Sequence, residues 1–222
     1  MCDYEPQLMA PAGVQFLTTR LAFRRTGLAD DIALIKDIEA HAALLADAAV
    51  DLIAFNCTAA SLVAGPEIVN RRIHEATGIR SITTIEGVLA ALRAAGIRRP
   101  ALLTPYLKEV VDHEIAYLAG QGFAVVASGG LPCATPVEQG SIRPEVWIEE
   151  ARKLKASDAD GLLISCAGIQ LAPVLAQIEQ DFGRPVVASN QALLWLALRT
   201  LGIAARPRDY GALLAGKFDR AG

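Results

Sequence analysis

An α/β fold of parallel βαβ units, arranged as two similar halves, follows from three features of the sequence. Short apolar runs alternate along the chain with segments of helical period, the pattern of parallel strands joined by crossover helices. The apolar content is aliphatic: 53% of residues are hydrophobic and only 5% aromatic, which suits buried strands under Ala-rich helices. Finally, one segment occurs twice, about half a chain apart. Asp51 and Cys57 bracket an apolar run ending in Asn56, and Asp160 and Cys166 bracket a second run ending in Ser165.

The elements follow in order. Residues 13–18 read as a short strand and 30–48 as a helix, with Ile32, Ile35, Ile38, Leu44 and Leu45 as core positions. Residues 51–56 form a buried strand, 66–77 a helix stopped by Gly78, 81–84 a brief strand, and 85–95 a helix stopped by Gly96. Residues 100–104 read as a strand, 108–121 as a helix, 123–127 as a strand and 131–142 as a loop rich in turn formers. Residues 144–156, 172–182 and 191–201 read as helices, with strands at 161–165 and 186–188 between them. The echo continues through this series. Gly78 precedes Ile82, Thr83, Thr84 and a helix closing in Leu92, Arg93 and Gly96; Gly183 precedes Val187, Ala188, Ser189 and a helix closing in Leu198, Arg199 and Gly202. Two homologous halves account for it. Their expected extents are 1–94 plus 190–222, and 95–189.

Charge and length bound the function. With 222 residues, the chain has room for one large α/β domain or two small lobes. A formal net charge of −3 with no long basic run gives no support to nucleic-acid binding. The most apolar stretch, residues 42–64, is broken by Asp47 and Asp51, which argues against a membrane span. The start carries Asp3 and Glu5 and no apolar signal-peptide core, so a cytoplasmic location is expected. His41, His74 and His113 are scattered in polar, helix-like settings. They read as exposed helical residues, without the spacing of metal ligands.

The chemistry centres on the cysteines. Of the four, none lies in a Cys-x-x-Cys pair. Cys57 and Cys166 each fall just past the end of a strand, at the turn into a helix, where ligands of parallel sheets bind. A helix N-terminus favours thiolate, and the backbone N–H groups of Thr58, Ala59, Ala167 and Gly168 can cradle an anion. If the halves face each other about a pseudo-two-fold axis, both thiols point into one cleft. Opposed thiols with anion cradles suit proton transfer at a carbon next to a carboxylate. The competing reading, two small residues filling tight turns, is weakened by the duplication. Cys133 sits in a Pro-flanked loop and Cys2 at the terminus, and neither receives a role.

The segments from Asn56 to Ser61 and from Ser165 to Gly168, with Thr104-Pro105-Tyr106 between them, resemble the aspartate/glutamate racemase superfamily. Within it they look most like the maleate cis-trans isomerase and arylmalonate decarboxylase group. The resemblance runs over nearly the whole chain. It implies two Rossmann-like halves with parallel sheets, a site in the cleft between them, and no cofactor or metal. It also implies a small mono- or dicarboxylate substrate, with Cys57 and Cys166 catalytic and Thr58, Ala59, Tyr106, Ala167, Gly168 and Asn56 holding the substrate. The decarboxylases of the group keep only the second cysteine, with Gly at the first position. This chain has both, which favours two-thiol chemistry of the maleate isomerase type over one-thiol decarboxylation. An Asp/Glu-type racemase or an arylmalonate-type decarboxylase using the same cleft, and then a non-catalytic carboxylate binder, are the alternatives. The cysteine loops carry no acid to receive a substrate ammonium, which favours a dicarboxylate. One departure stands out. The group's first strand, ending in a Pro-Ser-Ser-Asn-like loop before the Glu5-Pro6 region, has no match here. Its lack would leave an apolar groove and an unpaired strand edge. Asn190 could cap a strand end or bind ligand. The apolar helix around Leu193, Leu194 and Trp195 reads as core or as the interface of a homo-oligomer.

Overall fold

The computed structural model describes residues 4–219. Helix α1 (Tyr4–Met9) is followed by irregular chain over residues 10–27, then by α2 (Leu28–Leu34) and α3 (Ile38–Ala46). Next come β1 (Ile53–Phe55), α4 (Thr58–Ala64), α5 (Pro66–Thr77), β2 (Ser81–Thr83) and α6 (Thr84–Ala94). The chain continues through β3 (Pro100–Thr104), α7 (Lys108–Gly120), β4 (Ala127–Gly130), α8 (Pro136–Ser141) and α9 (Pro144–Leu154). It closes with β5 (Gly161–Ile164), α10 (Leu175–Phe182), β6 (Val186–Ala188), α11 (Ser189–Thr200) and α12 (Gly211–Leu214).

The architecture is α/β with parallel sheets, as the sequence predicts. One sheet is the parallel pair β1-β2, and the other runs β4-β3-β5-β6, parallel throughout. In the larger sheet Leu102 sits beside Leu163, and Leu163 beside Val187. Every residue of β3, β5 and β6 is buried. Helices cover both faces, which is why these strands read as unbroken apolar runs. Helices α6 and α11 pack closely against each other. A Cβ at Gly87 would stand 2.9 Å from the Ala192 carbonyl oxygen, so only glycine permits this approach. In α11, Leu193, Leu194 and Trp195 are at most 8% exposed. They are core of the single chain, and the interface reading is not needed to explain them.

Several local expectations fail for identifiable reasons. Residues 13–18 form no strand; none of the described residues pairs with them as a strand, and Phe16 N–H donates to the Gln7 side chain at 3.3 Å instead. The helix expected over 30–48 is two helices, broken between Leu34 and Ile38. The break rotates the apolar stripe, leaving Ile32 and Leu44 exposed while Ile35 and Ile38 are buried. The strand expected at 123–127 lies later, at β4. Val125 and Val126 favour strand, but pairing with β3 falls on Ala127 to Gly130. There the backbone is so close to Thr104 that a Cβ on Gly130 would overlap its carbonyl oxygen. The loop over 131–142 contains α8, opened by a capping box between Thr135 and Glu138 with Pro136 in the first turn. The helix expected from residue 172 begins at Leu175.

The smaller sheet has one further property. Among the described residues β1 pairs only with β2. A cavity of about 540 Å³ borders its other edge, between Leu52 and Ala54 and the Leu193 and Ala197 side chains of α11.

Candidate active site

Strand β1 ends at Phe55 and α4 starts at Thr58, which puts Asn56 and Cys57 in the turn between them. Cys57 is the N-cap residue, extended at φ −151°, and its carbonyl accepts from Ser61 N–H at 3.1 Å. Strand β5 ends at Ile164, which puts Ser165 and Cys166 in the equivalent place. The two cysteines line the same cavity, together with Asn56, Ala59, Tyr106, Ala167 and Gly168. Seven of the eight residues expected in the site therefore share one hollow. The exception is Thr58, which is fully buried behind it and donates through its hydroxyl to Ser189 at 2.8 Å.

The two turns are not equivalent. Cys57 is half-buried and caps a helix, whereas Cys166 is 4% exposed and leads into irregular chain that runs to Leu175. The expectation that Cys166 opens a helix is therefore not met. A tight turn does the work locally: Gly168 N–H donates to Cys166 Sγ at 3.2 Å, and the thiol points to Gln139 Oε1 at 3.7 Å. An N–H donor aimed at sulfur stabilises negative charge there. Gln139 arrives from α8, in the segment expected to be a loop. The Thr-Pro-x-Glu run at 135–138 was the signal that could have revealed it.

Two residues after β6 tie the turns together. Ser189 Oγ accepts from Thr58 Oγ1, at 2.8 Å, and from Cys166 N–H, at 3.1 Å. Asn190 Nδ2 donates to the Ala167 carbonyl at 3.0 Å and to Glu5 at 3.2 Å, while Asn190 Oδ1 accepts from Asn56 Nδ2 at 3.1 Å. Asn56 Oδ1 in turn accepts from Thr84 Oγ1 at 3.1 Å. Asn56 and Asn190 thus bridge the two cysteine turns. Glu5 is buried and its carboxylate also receives the N–H groups of Leu171 and Ala172, fixing the chain after Cys166. Burial nevertheless pushes the Glu5 carboxyl above its ordinary range. Neither Ser189 nor Glu5 was singled out from sequence, because serine at a strand end and glutamate near a terminus carry no distinctive pattern.

The walls shape the electrostatics. Tyr106 is 5% exposed, and burial raises its hydroxyl well above the ordinary phenol range, with Cys166 and Glu114 adding to the effect. Glu114, on α7, is fully buried and accepts from Ser165 Oγ at 2.5 Å. Desolvation pushes its carboxyl to about 7. His41 also lines the cavity and contacts Thr19 Oγ1 at 3.0 Å, so it is not the exposed helical residue expected; His74 and His113 are exposed. Cys133 is buried and donates to the Leu131 carbonyl, away from this cavity. Cys2 lies outside the described residues. No helix among the described residues is long and apolar enough to cross a membrane.

Fold and site together define an α/β protein with paired thiols at the carboxyl ends of parallel strands. The chain belongs to the arylmalonate decarboxylase family, whose model matches residues 3–214. It is 31% identical to a maleate isomerase of Nocardia farcinica over 181 residues, 77% of this chain and 71% of that protein. It is 29% identical to an arylmalonate decarboxylase of Bordetella bronchiseptica over 187 residues, 82% of this chain and 78% of that protein. Among solved structures, Nocardia farcinica maleate cis-trans isomerase bound to TRIS matches with a TM-score of 0.89 at 26% identity, covering 96% of this chain and 92% of that one. A cysteine-to-serine mutant of that isomerase, with a covalently bound succinylcysteine intermediate, matches with a TM-score of 0.88 at 26% identity, covering 95% and 91%.

Proposed function

We propose that this chain is a cofactor-independent cysteine isomerase that converts maleate to fumarate. The observation that carries the reading is that Cys57 and Cys166, from two echoing segments, line one cavity. The succinylcysteine in a similar isomerase supports it. In the mechanism, the Cys57 thiolate adds to one alkene carbon and the C=C π electrons move onto the neighbouring carbon, forming an enolate with its carboxylate. The Cys166 thiol gives its proton to that carbon, leaving a succinyl thioether on Cys57. Rotation about the new single bond brings the carboxylates trans. Cys166 then takes back the proton, the C–S bond breaks toward Cys57, and fumarate leaves. Atoms and charge balance without any other group.

The surrounding residues fit these steps. Capping α4 favours the Cys57 thiolate, and the N-terminal N–H groups near Ala59 face an anion. The Gly168 N–H steadies Cys166 as thiolate after it gives up its proton. The Tyr106 hydroxyl, kept protonated by burial, donates to a carboxylate oxygen, as does an amide of the Asn56 turn. The cell interior suits an enzyme that needs free thiols. The test is incubation with maleate alone in D₂O, followed by NMR. Fumarate formation is expected; its absence from the folded full chain sinks the reading. The family match and the apolar walls of the cavity favour one second reading, decarboxylation of an arylmalonate. That reaction would release CO₂ and depend on Cys166 while tolerating Cys57→Gly.

A further inference from the structure

One buried group in the cavity wall has no part in these steps. Asp31, on α2, is 2% exposed and lines the same cavity as Cys57, Tyr106 and Cys166. Its Oδ1 has no hydrogen-bond partner among the described residues. Leaving such an atom dry costs about 1–3 kcal/mol, so its retention asks for a ligand. The cysteine loops themselves carry no acid. The fold supplies one from a helix that begins thirty residues upstream of Thr58.

The charges around Asp31 define its state. Asp30 acts on it from its own helix and Glu109 from α7, both negative. Helix α4, which packs against α2, carries no ionisable side chain, and Cys57 stands at its start. Lys108, beside Glu109, is paired with Asp112 at 2.6 Å. Tyr106 is close enough to sense the Asp31 charge. Arg20, His41 and Asp51 also line this cavity, and His41 is engaged with Thr19. Burial, with Asp30 and Glu109, raises the Asp31 carboxyl to about 7. A carboxyl in that state carries a proton it can donate, whereas a carboxylate only accepts.

We propose that Asp31 is a specificity-determining residue of the cleft, which as a neutral acid donates a hydrogen bond to a carboxylate oxygen of the bound dicarboxylate. The inference deepens the isomerase reading and takes the identity of its ligand from it. A bound dianion adds negative charge beside the carboxyl and strengthens its hold on the proton. Below about pH 7 the donor is already in place. Above it, each dicarboxylate must enter with one proton, and affinity falls toward tenfold per pH unit.

Calorimetry with fumarate, a dianion throughout the range, tests this between about pH 6 and about pH 8.5. In the wild-type chain, affinity should fall about tenfold per unit above pH ~7, with proton uptake approaching one per ligand. Asp31→Asn keeps an N–H donor that does not titrate, so its affinity should be flat with pH and exceed wild type at the alkaline end. Asp31→Leu should bind weakly at every pH. Circular dichroism and thermal melting confirm that each variant is folded. Flat wild-type binding, equal weakening by both variants, or no binding by the wild-type chain overturns the proposal. So does affinity for aspartate that exceeds that for fumarate and rises with pH, which would make Asp31 an ionised receptor for an ammonium group. Proton-coupled fumarate binding without maleate turnover leaves Asp31 its role and removes the isomerase reading. Turnover with pH-independent binding does the reverse.

Discussion

The two cysteine turns occupy equivalent places in echoing sequence, yet their surroundings differ in three ways. The strand before Cys166 is flanked on both sides, by β3 and β6, whereas among the described residues the strand before Cys57 pairs only with β2. Cys57 is half-buried at a helix N-cap; Cys166 is nearly enclosed, with Gly168 and Gln139 against its sulfur. The residue before each thiol is also anchored differently. Asn56 is joined to the neutral side chains of Asn190 and Thr84, while Ser165 is joined to the buried acid Glu114. A duplicated framework thus presents one reachable thiol and one enclosed thiol. That asymmetry suits a division into nucleophile and proton carrier, and it can be broken experimentally.

The largest effect comes from removing the thiols. Cys57→Ser should lower maleate turnover at least ~10³-fold, a barrier increase of about 4 kcal/mol, because a hydroxyl near neutral pH is a far weaker nucleophile than a thiolate. Cys166→Ser should impair turnover comparably but leave a different trace. Intact-protein mass spectrometry should find the chain heavier by one maleate and one proton, a succinyl thioether on Cys57 whose carbon is protonated slowly from solvent and which the variant cannot efficiently deprotonate. Adduct on Cys57→Ser, or none on Cys166→Ser, would reverse or abolish the division of labour.

The second effect isolates the acid that belongs to the Cys166 side alone. Glu114 has a folded-state carboxyl raised from 4.5 to about 7 by desolvation. Between those values the folded chain holds a proton that the unfolded chain has lost, so stability falls as pH rises through this window. Glu114→Gln keeps an acceptor for Ser165 Oγ and removes the titration. Chemical denaturation should show the variant gaining on wild type from about pH 5 to about pH 8, by at most ~3 kcal/mol. Parallel wild-type and variant profiles would place the acid outside this balance. Ser189→Ala tests the link between the turns. Its Oγ serves both Thr58 and Cys166, so its loss should cost about 1–3 kcal/mol of stability and also slow turnover. A change in stability alone would mean that the turns keep their geometry without it.

Much of this was legible in the sequence where local and tertiary signals agree. The helix from Pro66 is fixed by its proline start and by Gly78 in the left-handed region at its end, and its observed bounds match the expectation. Strands β3, β5 and β6 were readable because burial on both faces leaves no polar position to confuse the run. The pair of cysteines emerged from repetition, which needs no structure. What stayed hidden depends on contacts across the chain. Val125 and Val126 promised a strand that pairing placed on Gly129 and Gly130. Asp31 and Ser189 carry no local mark; only the fold brings Asp31 to the cavity, 26 positions from Cys57 in sequence, and Ser189, 132 positions from Cys57, against Thr58 and Cys166.

The smallest effect uses Cys133 as a reference that belongs to neither turn. Its thiol is pushed above the ordinary range by burial, with Glu138 adding to it, and its sulfur is directed at the Leu131 carbonyl. The thiolate is the reactive species, so each unit of elevation removes about nine-tenths of the reactive fraction near neutral pH. Cys57 is the more exposed and begins a helix, where partial positive charge favours thiolate. Brief iodoacetamide treatment with peptide mapping should therefore label Cys57 roughly tenfold faster than Cys133. Cys166 should also outpace Cys133 because of the Gly168 N–H at its sulfur, though its enclosure makes the margin smaller than that of Cys57. Prior incubation with fumarate should protect Cys57 and Cys166 together and leave Cys133 unchanged, since only the first two line the cavity. Protection of one thiol without the other would mean that a single ligand does not span the two turns, and the comparison between them would lose its functional content.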